Sequence, residues 1–388
     1  MRILMTVPAV GNVYGGPSKS VRELAYALGY QGAAVDLVTT NANGSEKLDV
    51  PLRTWVQEPY YRIQYFPCHV WSDYKWSTTL ATWLWQNINH YDIVHSNAIF
   101  SLTNIPIYFA CYYQKVSYLI TPRGMLEPWA LSYKKWKKQL YYKFLEKPAL
   151  NRASAIQMLS SAEAEHINPL NLKTSLVIIP NGLHREDFET LPSPETFYEQ
   201  FPHTRNKTLI LFLARIDPKK GLDLLASAFG ELYPQFPNAH LIVAGSDNIG
   251  FLPTAKDYFA QHNCLEAVTF TGMLAGKMKK AALSAASLYV APSYSEGFSI
   301  SVLEGMGSGL PCVITTGCNF PEAEQAQVAK VVDINSEAIT EGMHWCLSYP
   351  QEAKAMGDRA RQLIFEHYTW DKIAAKLSAT YEAILLKQ

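Results

Sequence analysis

One repeated pattern constrains this chain more than any other: a short run of β-forming apolar residues, a turn of small residues, then a segment whose apolar residues recur at helical spacing. Residues 2–7 form the first such run and lead into a glycine-bearing loop at 11–16. The stretch 17–31 then places Val21, Leu24, Ala25 and Leu28 on one side of a helix. Strands follow at 34–39, 62–66, 92–95, 118–121, 155–158 and 176–179, with helical stretches between them. The rhythm restarts at 208–213 and returns at 239–244, 268–273, 288–291, 312–315 and 329–332. Strands that alternate with helices build a parallel sheet covered on both faces. Strands buried on two faces read as continuous apolar runs, as Leu288-Tyr289-Val290-Ala291 does. The class is α/β. Residues 40–62 break the rhythm and read as a long loop.

A chain of 388 residues exceeds one ordinary core, so two domains are expected. Prolines and charges concentrate at 184–206, a plausible linker, which puts the boundary near 190. Lys plus Arg and Asp plus Glu number 34 each, which argues against a nucleic-acid protein working by whole-surface attraction. Cysteines at 68, 111, 264, 312, 318 and 346 include no C-x-x-C pair, so neither a zinc site nor a disulfide framework is implied and a reducing cytoplasm fits. The N-terminus reads as a first strand rather than a secretion signal, and no window has the length and apolarity of a membrane span.

The densest chemistry lies at Ser293-Tyr294-Ser295-Glu296-Gly297-Phe298-Ser299-Ile300-Ser301-Val302-Leu303-Glu304-Gly305-Met306-Gly307. It follows a buried strand and, with Ile300, Leu303 and Met306 in helical register, opens a helix. Small residues let a ligand approach the backbone, and the free N–H groups of a first turn attract anions. Glu296 precedes that turn, and Glu304 lies roughly 12 Å further along the helix axis. A second cluster, Ala214-Arg215-Ile216-Asp217-Pro218-Lys219-Lys220-Gly221, brings two cations to another strand end, where they can neutralise a diphosphate. Gly15-Gly16 opens the first helix but lacks the full G-x-G-x-x-G of a dinucleotide site. His95 and Arg123 end two strands of the first half. Either can line a ligand cleft, and a structural role is open for both: a core histidine, and an arginine that braces its loop. Residues 129–147 are basic and aromatic. Tyr133, Trp136, Leu140 and Phe144 share a side, with Lys134, Lys135, Lys137, Lys138 and Lys143 around them. This suits a surface of acidic lipids or a helix packed on the core with a solvated lysine face. Trp71, Trp76, Trp83 and Trp85 can extend an aromatic surface or fill the core.

The Glu296–Glu304 block resembles the E-x7-E signature of the retaining glycosyltransferases of family GT4. Arg215 to Gly221 resembles that family's G-R-x-x-x-x-K-G motif, with Ala214 where glycine is usual. Asn181-Gly182-Leu183-His184-Arg185-Glu186-Asp187 is similar to the segment that closes its first domain. The resemblance implies a GT-B fold, two Rossmann-like doubly wound domains facing a central cleft. Residues 1–190 would form the acceptor side, with 370–388 crossing back onto it, and 191–369 would bind a nucleotide-sugar donor. It implies that Glu304 meets the ribose. Glu296 and the amides of Gly297, Phe298, Ser299 and Ile300 would hold the sugar. Arg215, Lys220 and Gly16 would stabilise the leaving phosphate without a metal or other cofactor. Gly15 and Gly16 would lie over the diphosphate, and Thr271, Gly272 and Met273 would hold the base through their backbone. Where many members carry a histidine against the donor sugar, this chain has Arg123, as does a similar subset from bacterial polysaccharide synthesis.

The implied activity is retaining transfer of a hexose, best guess glucose, from a UDP-sugar to a carbohydrate or lipid-linked acceptor in exopolysaccharide synthesis. The implied place is the cytoplasm, with peripheral contact at the inner membrane face through 129–147. A nucleotide-sugar 2-epimerase of the same shape and a non-catalytic carbohydrate-binding protein are the alternatives.

Overall fold

The computed structural model describes residues 1–69, 75–132 and 135–387 and separates into two compact units, Met1–Gly182 with Trp370–Gln388, and Leu183–Thr369. Trp71, Tyr133 and Lys134, and the side chains of Lys135 and Lys137, lie outside the described residues.

The first unit holds an eight-stranded sheet. Its strands are β1 (Arg2–Ala9), β2 (Ala34–Thr40), β5 (Trp55–Glu58), β6 (Tyr61–Phe66), β7 (Ile93–Asn97), β8 (Ser117–Thr121), β9 (Ala155–Met158) and β10 (Leu176–Ile178), while β3 (Ala42–Asn43) and β4 (Glu46–Lys47) form a small hairpin. The order is β10-β9-β8-β7-β1-β2-β6-β5, parallel throughout except for β5 at the edge. Two apolar layers cover it. One is built from the helix Gly16–Tyr30 and the last helix, Trp370–Leu385, through Leu24, Leu28, Ile373, Leu377 and Tyr381. The other takes Leu80, Leu84, Ile107, Tyr108 and Leu150 from the opposite side.

The expected loop at 40–62 is instead the β3–β4 hairpin followed by β5, which turns back through Tyr60 (φ +65°) to pair with β6. Strands of two to four residues, mostly exposed or half-buried, carry no legible period. In 129–147 the side expected to face inward is also corrected. The segment runs as Pro128–Ser132, Lys135–Tyr141, a π-helical Tyr142–Glu146 and Lys147–Leu150. Trp136, Leu140 and Phe144 point outward, at 65%, 52% and 65% exposure. Tyr141, Tyr142 and the fully buried Glu146 take the inner side.

The second unit holds β11 (Thr208–Leu213), β12 (Ala239–Ala244), β13 (Val268–Gly272), β14 (Leu288–Ala291), β15 (Cys312–Thr315) and β16 (Lys330–Val332) in the order β13-β12-β11-β14-β15-β16, all parallel. Leu225, Phe229, Leu241, Val243, Leu288, Ile339 and Met343 lie in its core. The chain winds outward from β11 through β12 to β13, then returns to start the other half at β14. The loops after β11 and β14 therefore diverge from adjacent strands. Such a reversal opens a crevice at the carboxyl ends of the strands, where ligands of doubly wound sheets bind.

Candidate functional site

Those two loops carry the clusters singled out above. After β11, Asp217 caps a short turn, accepting from the Lys219 N–H at 3.0 Å. Gly221 ends it at φ +70°, and a Cβ there would stand 2.0 Å from the Pro292 carbonyl, so only glycine lets the turn press against the loop after β14. The Tyr294 N–H then donates to the Lys219 carbonyl at 2.9 Å. This zipper brings the Lys220 ammonium directly onto the Glu296 carboxylate. The Ser293 hydroxyl donates to the same carboxylate oxygen at 2.8 Å. The Glu296 backbone is fixed by its own N–H to the Gly317 carbonyl (2.7 Å) and by the Asn319 amide to its carbonyl (2.6 Å). Burial alone would push the Glu296 carboxyl up, but Lys220, with Lys219 and the Ser293 hydroxyl, holds it below the ordinary value.

Beyond Glu296 the helix Ile300–Gly307 begins. Its cap residue, Ser299, makes no side-chain bond to the first turn; its hydroxyl meets Ser301 at 3.0 Å instead. The turn is anchored by Phe298, buried against Phe320 and stacked on Tyr368, with ring centroids 4.9 and 5.8 Å away. Gly297, Ser299 and Ile300 stay partly open. Glu304, only 5% exposed, is met by Lys279 at 2.5 Å. Sequence reasoning missed Lys279. It lies in the helix Gly276–Ala285 among Lys277 and Lys280, where a lysine run reads as a solvated face. The Arg215 side chain is 40% exposed and pairs with Asp217 at 3.8 Å, so the structure joins Lys220 but not Arg215 to Glu296. β13 ends at Gly272, whose φ of +71° turns the chain and whose carbonyl accepts from the Gly245 N–H at 2.9 Å. Thr271 bonds to that same carbonyl, and Met273 is 61% exposed.

In the first unit, Gly15 (φ +69°) precedes the helix opened by Gly16, again without a side-chain cap. The expectation that His95 lines a cleft is corrected. It is fully buried in β7, with Nδ1 2.6 Å from the Tyr381 hydroxyl and Nε2 2.7 Å from the Thr121 hydroxyl. Thr121 spends its hydrogen on Gln157 (2.8 Å), and the Gln157 amide donates to the Ile179 carbonyl (2.7 Å). Nε2 must therefore donate, and a neutral ring accepts at Nδ1 from the Tyr381 hydroxyl. Burial first, then the nearby Arg123 charge, lowers its pKa to about 3. Arg123 is likewise a brace. It is buried at φ +56° and donates twice to Asn97 (2.7 and 3.0 Å), and to Ser20 (2.9 Å) and Asn181 (3.2 Å). Burial drops its pKa to about 10.

All six cysteines are buried, and none forms a disulfide. Among the described residues no cluster of three or more His, Cys, Asp or Glu is placed to hold a metal, and no helix is long and apolar enough to cross a membrane.

Two family profiles match the chain, Glycosyltransferase Family 4 over residues 14–187 and Glycosyl transferases group 1 over 195–363. An uncharacterised glycosyltransferase of Methanocaldococcus jannaschii is 27% identical over 210 residues, 53% of each chain. A GDP-mannose-dependent alpha-(1-6)-phosphatidylinositol monomannoside mannosyltransferase of Mycobacterium tuberculosis is 25% identical over 213 residues, 53% of this chain and 55% of that one. The chain thus spans about half the length of these curated relatives. Among solved structures, Anabaena HepE in complex with UDP and glucose superposes with a TM-score of 0.78 at 18% identity, covering 99% of this chain and 100% of that one.

Proposed function

The chain belongs to the family 4, group 1 glycosyltransferases of GT-B fold, and from that premise we propose that it transfers a hexose from a nucleotide diphosphate sugar, with retention of the anomeric configuration and without a metal ion. The observation that carries this reading is the Lys220–Glu296 pair at the reversal point of the second sheet, beside a helix start whose first turn has no side-chain cap. As the glycosidic bond of the donor breaks, negative charge grows on the β-phosphate. Lys220, Arg215 and the first-turn amides are the groups that stabilise it. Glu296 contacts the sugar, Glu304 the ribose, and the 271–273 turn the base. Lys220→Ala tests the reading: transfer should fall about 100- to 1,000-fold, the usual loss on removing one electrostatic stabiliser of a transition state. Unchanged turnover would end it. Chelator should leave the rate unchanged, and the product's anomeric proton should report retention.

UDP-glucose is the preferred donor, supported by the UDP and glucose held in HepE. GDP-mannose is the runner-up, supported by the mycobacterial relative. A thermal-shift panel of nucleotide sugars separates them, because a ligand at 100 times its Kd adds about 2.7 kcal/mol of stability. The acceptor is a saccharide or lipid-linked saccharide, with exopolysaccharide assembly as the setting. The outward-facing Trp136, Leu140 and Phe144, with Lys138 and Lys143 beside them, suit contact with an anionic lipid surface. Changing all three apolar residues to Asp should abolish co-sedimentation with anionic vesicles and leave the melting temperature intact. Donor incubated alone should give only slow hydrolysis. An epimerised sugar would favour the 2-epimerase reading, and donor binding with no product from any acceptor the carbohydrate-binding one.

A further inference from the structure

Glu304 is a flexible side chain in a buried position, and a contact that orients it comes from another helix. Its carboxylate lies one turn into the helix Ile300–Gly307, and Lys279 approaches from the helix Gly276–Ala285, Nζ to Oε1 at 2.5 Å. Both side chains are sheltered, at 21% and 7% exposure. The neighbouring lysines do otherwise: Lys280 pairs with Asp187 at 2.5 Å, and Lys277 is exposed. A carboxylate that receives the two adjacent hydroxyls of a ribose must present its oxygens in the right plane, and a glutamate has three side-chain torsions with which to miss it. An ammonium fixed at one oxygen removes that freedom and compensates the carboxylate's charge in a poorly solvated place.

We propose that Lys279 is a positioning residue for the donor: by orienting Glu304 it sets how strongly the site discriminates a ribonucleotide from its deoxy counterpart. This rests on the reading of Glu304 as the ribose contact of a nucleotide-sugar site. Lys279 does not touch the nucleotide; its effect travels through Glu304.

The test is calorimetric titration of the full chain and its variants with UDP and GDP, then with the 2′-deoxy and 3′-deoxy forms of whichever binds. The wild-type protein should bind the ribonucleotide about 10-fold or more tightly than the deoxy forms, the scale of a hydrogen bond to a charged group. Lys279→Met should weaken ribonucleotide binding about 10-fold and leave deoxynucleotide binding nearly unmoved, so that the ratio falls toward one. Lys279→Arg should restore part of the ratio, and Lys277→Met should change nothing. A lysine that only supported the fold would weaken both ligands equally, so an unchanged ratio in Lys279→Met overturns the inference. Should that variant not fold, Lys279→Gln combined with Glu304→Gln decides. Losses that multiply show two independent residues and overturn it; a double variant no worse than Glu304→Gln alone supports it. Failure of the underlying reading looks different. Wild-type protein that binds nucleotide without ribose discrimination removes the Glu304 role and this inference with it. Wild-type protein that binds neither nucleotide removes the donor site altogether.

Discussion

Replacing Lys220 by methionine should destabilise the second unit in a way that depends on pH. The two side chains of the Lys220–Glu296 pair are each 13% exposed. Removing one partner of a buried ion pair costs about 3–5 kcal/mol, because the other charge is left uncompensated. With this residual exposure the lower end applies, about 3 kcal/mol. For a unit the size of Leu183–Thr369 that lowers the melting temperature by about 6–12 °C. In the wild-type protein the Glu296 carboxyl is held below its ordinary value. Its contribution is therefore complete above the unfolded value of about 4.3 and is lost as pH falls through the folded one. In Lys220→Met the main opposing charge is gone and burial, only partly offset by Lys219 and the Ser293 hydroxyl, pushes the carboxyl up, so that variant loses stability as pH rises. The gap between the two proteins should widen from about pH 4 to pH 7 and close in acid. Calorimetric melts at fixed pH values measure it. The double variant Lys220→Met/Glu296→Gln should recover most of the stability but none of the transfer. A gap at pH 7 below about 2 °C, or one that stays constant from pH 4 to 7, refutes the assignment of this pair as a compensated buried charge.

The remaining expectations concern the scaffold. His95, held neutral with its pKa lowered to about 3, makes folding sensitive to acid. Stability should be complete above about pH 6.5 and fall by up to about 1.4 kcal/mol per pH unit between there and pH 3, as the unfolded chain takes up a proton the native one refuses. His95→Gln should remove that slope, as acid titrations followed by circular dichroism would show. Arg123→Lys keeps the charge but loses the guanidinium's fork to Asn97, Ser20 and Asn181. The first unit should lose about 2–3 kcal/mol in denaturant unfolding, while nucleotide binding is retained. Gly221→Ala adds a Cβ 2.0 Å from the Pro292 carbonyl at φ +70°, and must displace the backbone that seats Lys220. Transfer should drop at least 10-fold, with a stability cost of about 1–3 kcal/mol.

The parallel sheets were legible because their strands are buried on both faces: β11 and β14 have no alternation to obscure them, and helices of readable period separate them. The edge elements were not, since β3, β4 and β5 are too short and too mixed in exposure to register a period. At the site, spacing gave Lys220 and Glu296, because loops that leave adjacent strands at a reversal must lie together. Spacing did not give Lys279, whose neighbours in sequence face elsewhere, nor the pairing of Arg215 with Asp217 rather than with Glu296. The first unit misled in a different way. A polar residue at a strand end can face a ligand or the core, and only the partners decide. For His95 those partners are Tyr381, 286 positions away in the last helix, and Thr121.

The two units handle polar residues at their sheet edges by opposite chemistry. In the first, Arg123 donates to neutral acceptors with the buried Glu163 carboxyl nearby, and His95 is a neutral ring in a relay running from Tyr381 through Thr121 and Gln157 to a backbone carbonyl. Each of these bonds points inward and is already made, so these residues fix loops and have little left to offer a ligand. In the second, cations and carboxylates are matched across elements, Lys220 with Glu296 and Lys279 with Glu304. Two largely buried anions and two largely buried cations are costly apart and tolerable as pairs. A lysine keeps two further hydrogens when one is engaged, and a carboxylate keeps further lone pairs. Each pair therefore keeps hydrogen-bonding capacity for a polar ligand without being broken. A site built this way is assembled before any ligand arrives, so little binding energy goes to ordering it.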